Sequence, residues 1–162
     1  MMSRPRIVSA AGAQPSAMTA ETRVALCVAR FYEELADALE QSARETLRVA
    51  GVELVDSFSV PGAFELPLIA GYAARSGRYD AIVALGAVIR GETDHYRYVC
   101  GEAARGLQDV QCSTGVPVGF GLLTVDSLEQ ARARVRGGSK RDTGAHAAQA
   151  ALAGLEVKRQ LS

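Results

Sequence analysis

Apolar and polar positions alternate along the chain in two rhythms. Four short runs have the length and β-branched content of strands. They are RVALCVA (Arg23–Ala29), VELVDSFSV (Val52–Val60), DAIVALGAVI (Asp80–Ile89) and GVPVGFGLLTV (Gly115–Val125). Between them the apolar residues recur at helical spacing. In FYEELADALEQSARETLRVAG, Leu35, Leu39, Ala43 and Leu47 repeat every fourth position with charges between them, predicting an amphipathic helix that stops near Gly51. AFELPLIAGYAARSG predicts a second helix, with Pro67 tolerable only in its first turn. A third is expected from about Asp94 to Val110, weakened by Gly101 and Gly106. Ser127 followed by Gln130 is a capping-box start for LEQARARV. An alanine-rich helix from about Ala145 to Lys158 ends the pattern.

Strand and helix thus alternate four times, which predicts a three-layer α/β domain with a four-stranded parallel sheet between helices. A chain of 162 residues suits one such domain, placed at residues 21–162. Residues 1–20 carry Arg4 and Arg6 and no acid; without a leucine-rich centre they read as a flexible tail rather than a targeting segment. In sheets of this kind ligands bind beyond the carboxyl ends of the strands.

Composition narrows the function classes. Eighteen basic and eighteen acidic side chains cancel, so no global field draws the chain to nucleic acid or to an anionic membrane. The most apolar stretch, Ala81–Ile89, is far too short to span a bilayer. Cys27, Cys100 and Cys112 form an odd set without a CxxC pair, against a disulfide framework or a zinc site. A reducing compartment, the cytoplasm, is the expected location.

The chemistry concentrates where the third strand ends. In LGAVIRGETDHYRYVC an apolar run gives way to Arg90, Glu92, Thr93, Asp94 and His95 around Gly91. With a helix from Asp94, Thr93 would be its N-cap, and the free N–H groups behind it would suit a phosphate or carboxylate. His95 would exchange protons near neutral pH. The same residues equally fit an ordinary capped helix with a surface histidine, and the stretch alone does not choose. Metal ligation is the poorer reading, because the other histidine, His146, falls on a different predicted helix. GFGLLT lacks the third glycine of a dinucleotide fingerprint, and neither a GxxxxGK[ST] loop nor a GxSxG elbow occurs. Among the basic residues near the C-terminus, Arg132 and Arg136 share a helical face by the i,i+4 rule; Arg134 points the other way and could reach a phosphate.

Taken together, ARFYEEL, VPGAFELPL, ALGAVIRGETDHYRYVC, GVPVGFGLLT and LEQARAR occur in the order and at the spacing of the 6,7-dimethyl-8-ribityllumazine synthase family, and the chain resembles that family from Arg23 onward. The resemblance implies a flavodoxin-like, oligomeric fold built on pentamers. It implies an enzyme that condenses 5-amino-6-(D-ribitylamino)uracil with 3,4-dihydroxy-2-butanone 4-phosphate, the penultimate step of riboflavin biosynthesis, without a cofactor. Phe31 matches the aromatic residue that stacks on the pyrimidine. Ala63, Phe64 and Glu65 match the segment holding the ribityl chain and the ring edge; Ala87, Val88 and Ile89 match backbone contacts to the pyrimidine. Glu92 and Thr93 match the phosphate-binding turn, and His95 the proton-transfer histidine. Phe120 and Arg134 match residues contributed by a neighbouring subunit, the arginine pairing with the phosphate.

Three departures stand out. Arg97 occupies a position where the family commonly has an acid, Tyr32 one where many members carry asparagine, and GGSKRDTG replaces an AGNKG-type loop. They motivate an alternative reading, a flavin- or lumazine-binding protein on the same scaffold with weak catalysis. Retention of Phe31, Glu65, His95 and Arg134 together argues against it, since binding alone needs neither the histidine nor the phosphate arginine.

Overall fold

A computed structural model describes residues 20–162; the tail expected at residues 1–20 falls almost wholly outside them. The elements run β1 (Arg23–Ala29), α1 (Glu33–Val49), β2 (Leu54–Val60), a 3-10 turn (Ala63–Glu65), α2 (Leu66–Arg75), β3 (Ala81–Ile89), α3 (His95–Thr114), β4 (Val118–Val125), α4 (Leu128–Ala133) and α5 (Thr143–Gln160). The four strands form one parallel sheet in the order β2-β1-β3-β4. This is the three-layer arrangement expected of the alternating pattern, with the flavodoxin-like form that the family resemblance implies.

The alternation of side chains along β1 and β3 divides the core in two. Val24, Leu26 and Val28, with Val83 and Leu85, meet Leu35, Leu39 and Leu47 of α1 and the small face of α5. Ala25, Cys27 and Ala29, with Ile82 and Ala84, meet Leu66 and Ala70 of α2 and Ala103 and Leu107 of α3. Both central strands are buried on both faces, which explains their unbroken apolar runs. β2 is an edge strand with mostly exposed residues, and it starts at Leu54 rather than Val52. Among the described residues no helix is long and apolar enough to cross a membrane.

Several helix boundaries differ from the expectation. α3 continues past Val110 to Thr114, because its stop is Gly115, whose φ of 73° accommodates the left-handed turn and whose N–H donates to the Gln111 carbonyl at 2.9 Å. α4 is as well capped as expected, Ser127 Oγ accepting from Gln130 N at 3.1 Å, but it ends at Ala133 rather than Val135. The chain then doubles back: Lys140 N donates to the Ala133 carbonyl at 2.8 Å and Thr143 N to the Arg134 carbonyl at 2.9 Å. Arg136 therefore lies beyond the helix, and the shared face expected for Arg132 and Arg136 does not form. α5 begins two residues early, at Thr143, because Asp142 supplies its cap by accepting from Ala145 N at 3.3 Å.

Candidate active site

Strand order dictates where a cleft can open. The connection from β1 packs on one face of the sheet and the connection from β2 to β3 on the other, so the carboxyl ends of β1 and β3 flank a switch point. A cleft of about 580 Å³ lies there. Three consecutive pieces of chain wall it: the turn after β1, the turn after β2, and the end of β3, with the first turn of α3 closing one side.

Each wall has a distinct physical character. Phe31 projects from the turn after β1 with 74 % of its surface exposed. Tyr32 and Phe31 form a T-shaped pair at a centroid distance of 4.9 Å and 74°, which steadies the Phe31 ring while most of it stays open to a planar ligand. Ala63, Phe64 and Glu65 form the 3-10 turn that follows Pro61-Gly62; Ala63 is buried, and Phe64 is 63 % exposed. Along β3 the ladders are uneven. β4 pairs with it as far as Ile89, whereas β1 stops pairing at Leu85. Ile82 N and Arg90 N both donate towards β4, so the even-numbered peptides of β3 face that strand. The β1-facing peptide groups of Ala87 and Ile89 are left without a ladder partner at the cleft, where a ligand can exchange hydrogen bonds with them.

His95 is the first residue of α3 and lines the same cleft. Asp94, in helical conformation and making no side-chain cap, takes the N-cap position expected for Thr93. The Thr93 hydroxyl instead accepts from His95 N at 3.4 Å, two residues along, as in a serine–threonine turn. Glu92 and Thr93 are exposed on the adjacent turn and do not line the cleft. That turn is held by Arg90. Its Nε donates to Asp126 Oδ1 at 2.8 Å, its guanidinium lies 4.4 Å over the Tyr96 ring, and its N–H donates to the Val125 carbonyl at 2.8 Å. The bond it donates to Asp126 also pushes the Arg90 pKa further up. Arg90 therefore ties the loop before α3 to the loop before α4.

Two expected site residues are elsewhere in the single chain. Phe120 sits on β4 in a separate shallow groove of about 280 Å³ beside Leu107, Gln108 and Gln111 of α3. Arg134 follows α4, and its Nη1 donates to the Gln130 carbonyl at 2.8 Å. Tyr98 and Val99 line the cleft although the sequence reading did not select them. Tyr98 follows His95 by three residues on one helix, so an i,i+3 projection from the histidine was the signal that would have found it.

The cleft therefore joins an aromatic platform, an unladdered strand edge, one carboxylate and one imidazole. Such a site can hold a flat polar heterocycle and move protons beside it. The same segments recur in known proteins. The family model of 6,7-dimethyl-8-ribityllumazine synthase matches residues 21–159. A 6,7-dimethyl-8-ribityllumazine synthase of Kineococcus radiotolerans is 53 % identical over 132 residues, covering 80 % of this chain and 81 % of that protein. One from Halorhodospira halophila is 46 % identical over 145 residues, covering 87 % and 91 %. Another, from Methylorubrum populi, is 47 % identical over 145 residues, covering 86 % and 85 %. A family match over nearly all of the described chain, with relatives about half identical over most of their own length, identifies the chain as a member of the 6,7-dimethyl-8-ribityllumazine synthase family.

Proposed function

We propose that this cleft carries out the condensation of 5-amino-6-(D-ribitylamino)uracil with 3,4-dihydroxy-2-butanone 4-phosphate to 6,7-dimethyl-8-ribityllumazine. As a family member the chain is an enzyme, a transferase of riboflavin biosynthesis. The observation that carries the assignment of the cleft is that Phe31, the free edge of β3 and His95 open onto one space. The pyrimidine stacks on Phe31 and exchanges hydrogen bonds with the backbone of Ala87 and Ile89, on either side of Val88. Ala63, Phe64 and Glu65 bound its ribityl chain. The amine attacks the ketone, water leaves, and an imine forms. Phosphate departs by elimination, and ring closure releases a second water. His95 relays protons through these steps.

The phosphate is anchored by Glu92 and Thr93 on the rim, through the backbone of their turn, and by Arg134 of a neighbouring subunit. Phe120 of that neighbour closes the cleft. On this reading the chain assembles into homo-oligomers built on pentamers, works in the cytoplasm and uses no cofactor. Holding two reactants together supplies much of the acceleration.

The test is to mix the purified protein with both substrates and follow lumazine absorbance against the uncatalysed background. Saturable acceleration is expected, slowed in His95→Ala with little change in pyrimidine binding. Tight lumazine or flavin binding without turnover would overturn the catalytic reading.

A further inference from the structure

Arg30 stands between β1 and Phe31, and each of its three side-chain nitrogens is engaged. Nε donates to Ser59 Oγ at 2.9 Å. Nη1 donates to Asp37 Oδ1 at 2.7 Å and, less closely, to Glu33 Oε2 at 3.4 Å. Nη2 is paired with Glu40, whose other oxygen accepts from Ser57 and Arg44. Its main-chain N–H donates to the Val60 carbonyl at 2.9 Å.

The geography of these partners is informative. Glu33, Asp37 and Glu40 recur at i, i+4 and i+7, forming one acidic stripe on α1. Ser57 and Ser59 lie on β2 just before Val60, Pro61 and the turn that carries Ala63, Phe64 and Glu65. A single guanidinium therefore joins three pieces of chain: the turn bearing Phe31, the strand leading to the opposite cleft wall, and the helix behind both. α1 lacks a side-chain cap, because Tyr32 occupies the N-cap position without making one. The Arg30 bonds thus secure a helix start that local chemistry leaves loose. Only a planar fork with several donors in fixed directions can satisfy this set; an ammonium cannot.

We propose that Arg30 is a positioning residue for the pyrimidine half of the site, setting the spacing between the Phe31 ring and the Ala63–Glu65 turn. The inference rests on the reading of the cleft given above. Arg30 touches no substrate; it acts through the two walls. Loss of its fork widens the slot for the heterocycle and leaves the phosphate anchors, on a different turn and a different subunit, unchanged.

The experiment measures both KM values, kcat and the thermal midpoint for wild type, Arg30→Lys, Ser59→Ala and Phe31→Ala. Ser59→Ala removes one bond and keeps the charges, so it remains informative where Arg30→Lys does not fold. Expected is a rise of roughly tenfold in the pyrimidine KM for Arg30→Lys, a smaller rise for Ser59→Ala, and kcat and the KM of the phosphorylated ketone both within about twofold of wild type. A folded Arg30→Lys with both KM values unchanged overturns the proposal. So does an equal rise in both KM values alongside a lower thermal midpoint, which is what a merely structural role produces. Phe31→Ala separates the two levels. If it raises the pyrimidine KM while Arg30→Lys and Ser59→Ala do not, the clamp alone fails. If Phe31→Ala leaves that KM unchanged, the reading of the cleft fails and takes the clamp with it.

Discussion

At the scale of single residues, the legible ones announced themselves by type and local order. His95 is one, a rare titratable group after an apolar run, whereas Phe31 was reached only through the family resemblance. Arg30 and Arg90 gave no such sign, because the bonds that define their roles reach other elements: Ser59 on β2 for one, Asp126 after β4 for the other. Cys27 was read only as part of an odd count. Its burial in β1 pushes the thiol from 9.0 up to about 12. Below pH 9 folded and unfolded chains both keep the proton, and the thiol gives no pH dependence. Above it the unfolded chain releases the proton while the folded chain holds it. Stability then declines by up to about 1.4 kcal/mol per pH unit until the folded pKa is reached. The urea midpoint is accordingly expected to fall between pH 9 and 11, and to fall less in Cys27→Ala; equal slopes for the two proteins would remove Cys27 as the cause. For Arg134→Ala, the expected outcome is a higher KM for the phosphorylated ketone than for the pyrimidine, each compared with wild type in steady-state assays.

At the scale of elements, periodicity located every strand and α-helix, and the errors gathered at the ends of strands and helices alike. The stop of α3 and the early end of α4 depend on which backbone groups the following loop can satisfy, and that loop is placed by the rest of the fold. The alanine content of α5 had no stated purpose in the pattern. In the structure it is a matter of clearance. Ala147 and Ala151 of α5 lie against Gly119 and Gly121 of β4, and a Cβ on Gly119 would fall 2.1 Å from the Ala147 carbonyl oxygen. The other side of α5 approaches α1, where a Cβ on Gly144 would fall 2.4 Å from the Leu39 carbonyl oxygen. Helix, sheet and helix are therefore drawn together by absent side chains. Gly119→Ala is expected to cost about 1–3 kcal/mol by forcing α5 outward, read as a lower urea midpoint. A midpoint equal to wild type would mean that α5 shifts freely.

At the scale of the whole molecule, the cleft at the carboxyl ends of β1 and β3 leaves Phe120 and Arg134 outside it. A site shared between neighbours makes a direct prediction. Subunits carrying His95→Ala and subunits carrying Arg134→Ala, dissociated and reassembled together, should regain activity beyond either variant alone, because some interfaces then pair an intact histidine with an intact arginine. No regain on mixing would place the complete site within one chain. The sequence by itself determined the α/β class, the order of elements and the segments that reach the carboxyl end of the sheet. Those follow from periodicity, caps and turn residues, which act over a few positions. Only the tertiary structure decided that β1 stops pairing before β3 does, that Arg30 bridges two walls of the cleft, and that Arg90 anchors the turn before α3. Each of these depends on groups tens of residues apart, brought within hydrogen-bonding reach by burial of the two faces of the sheet.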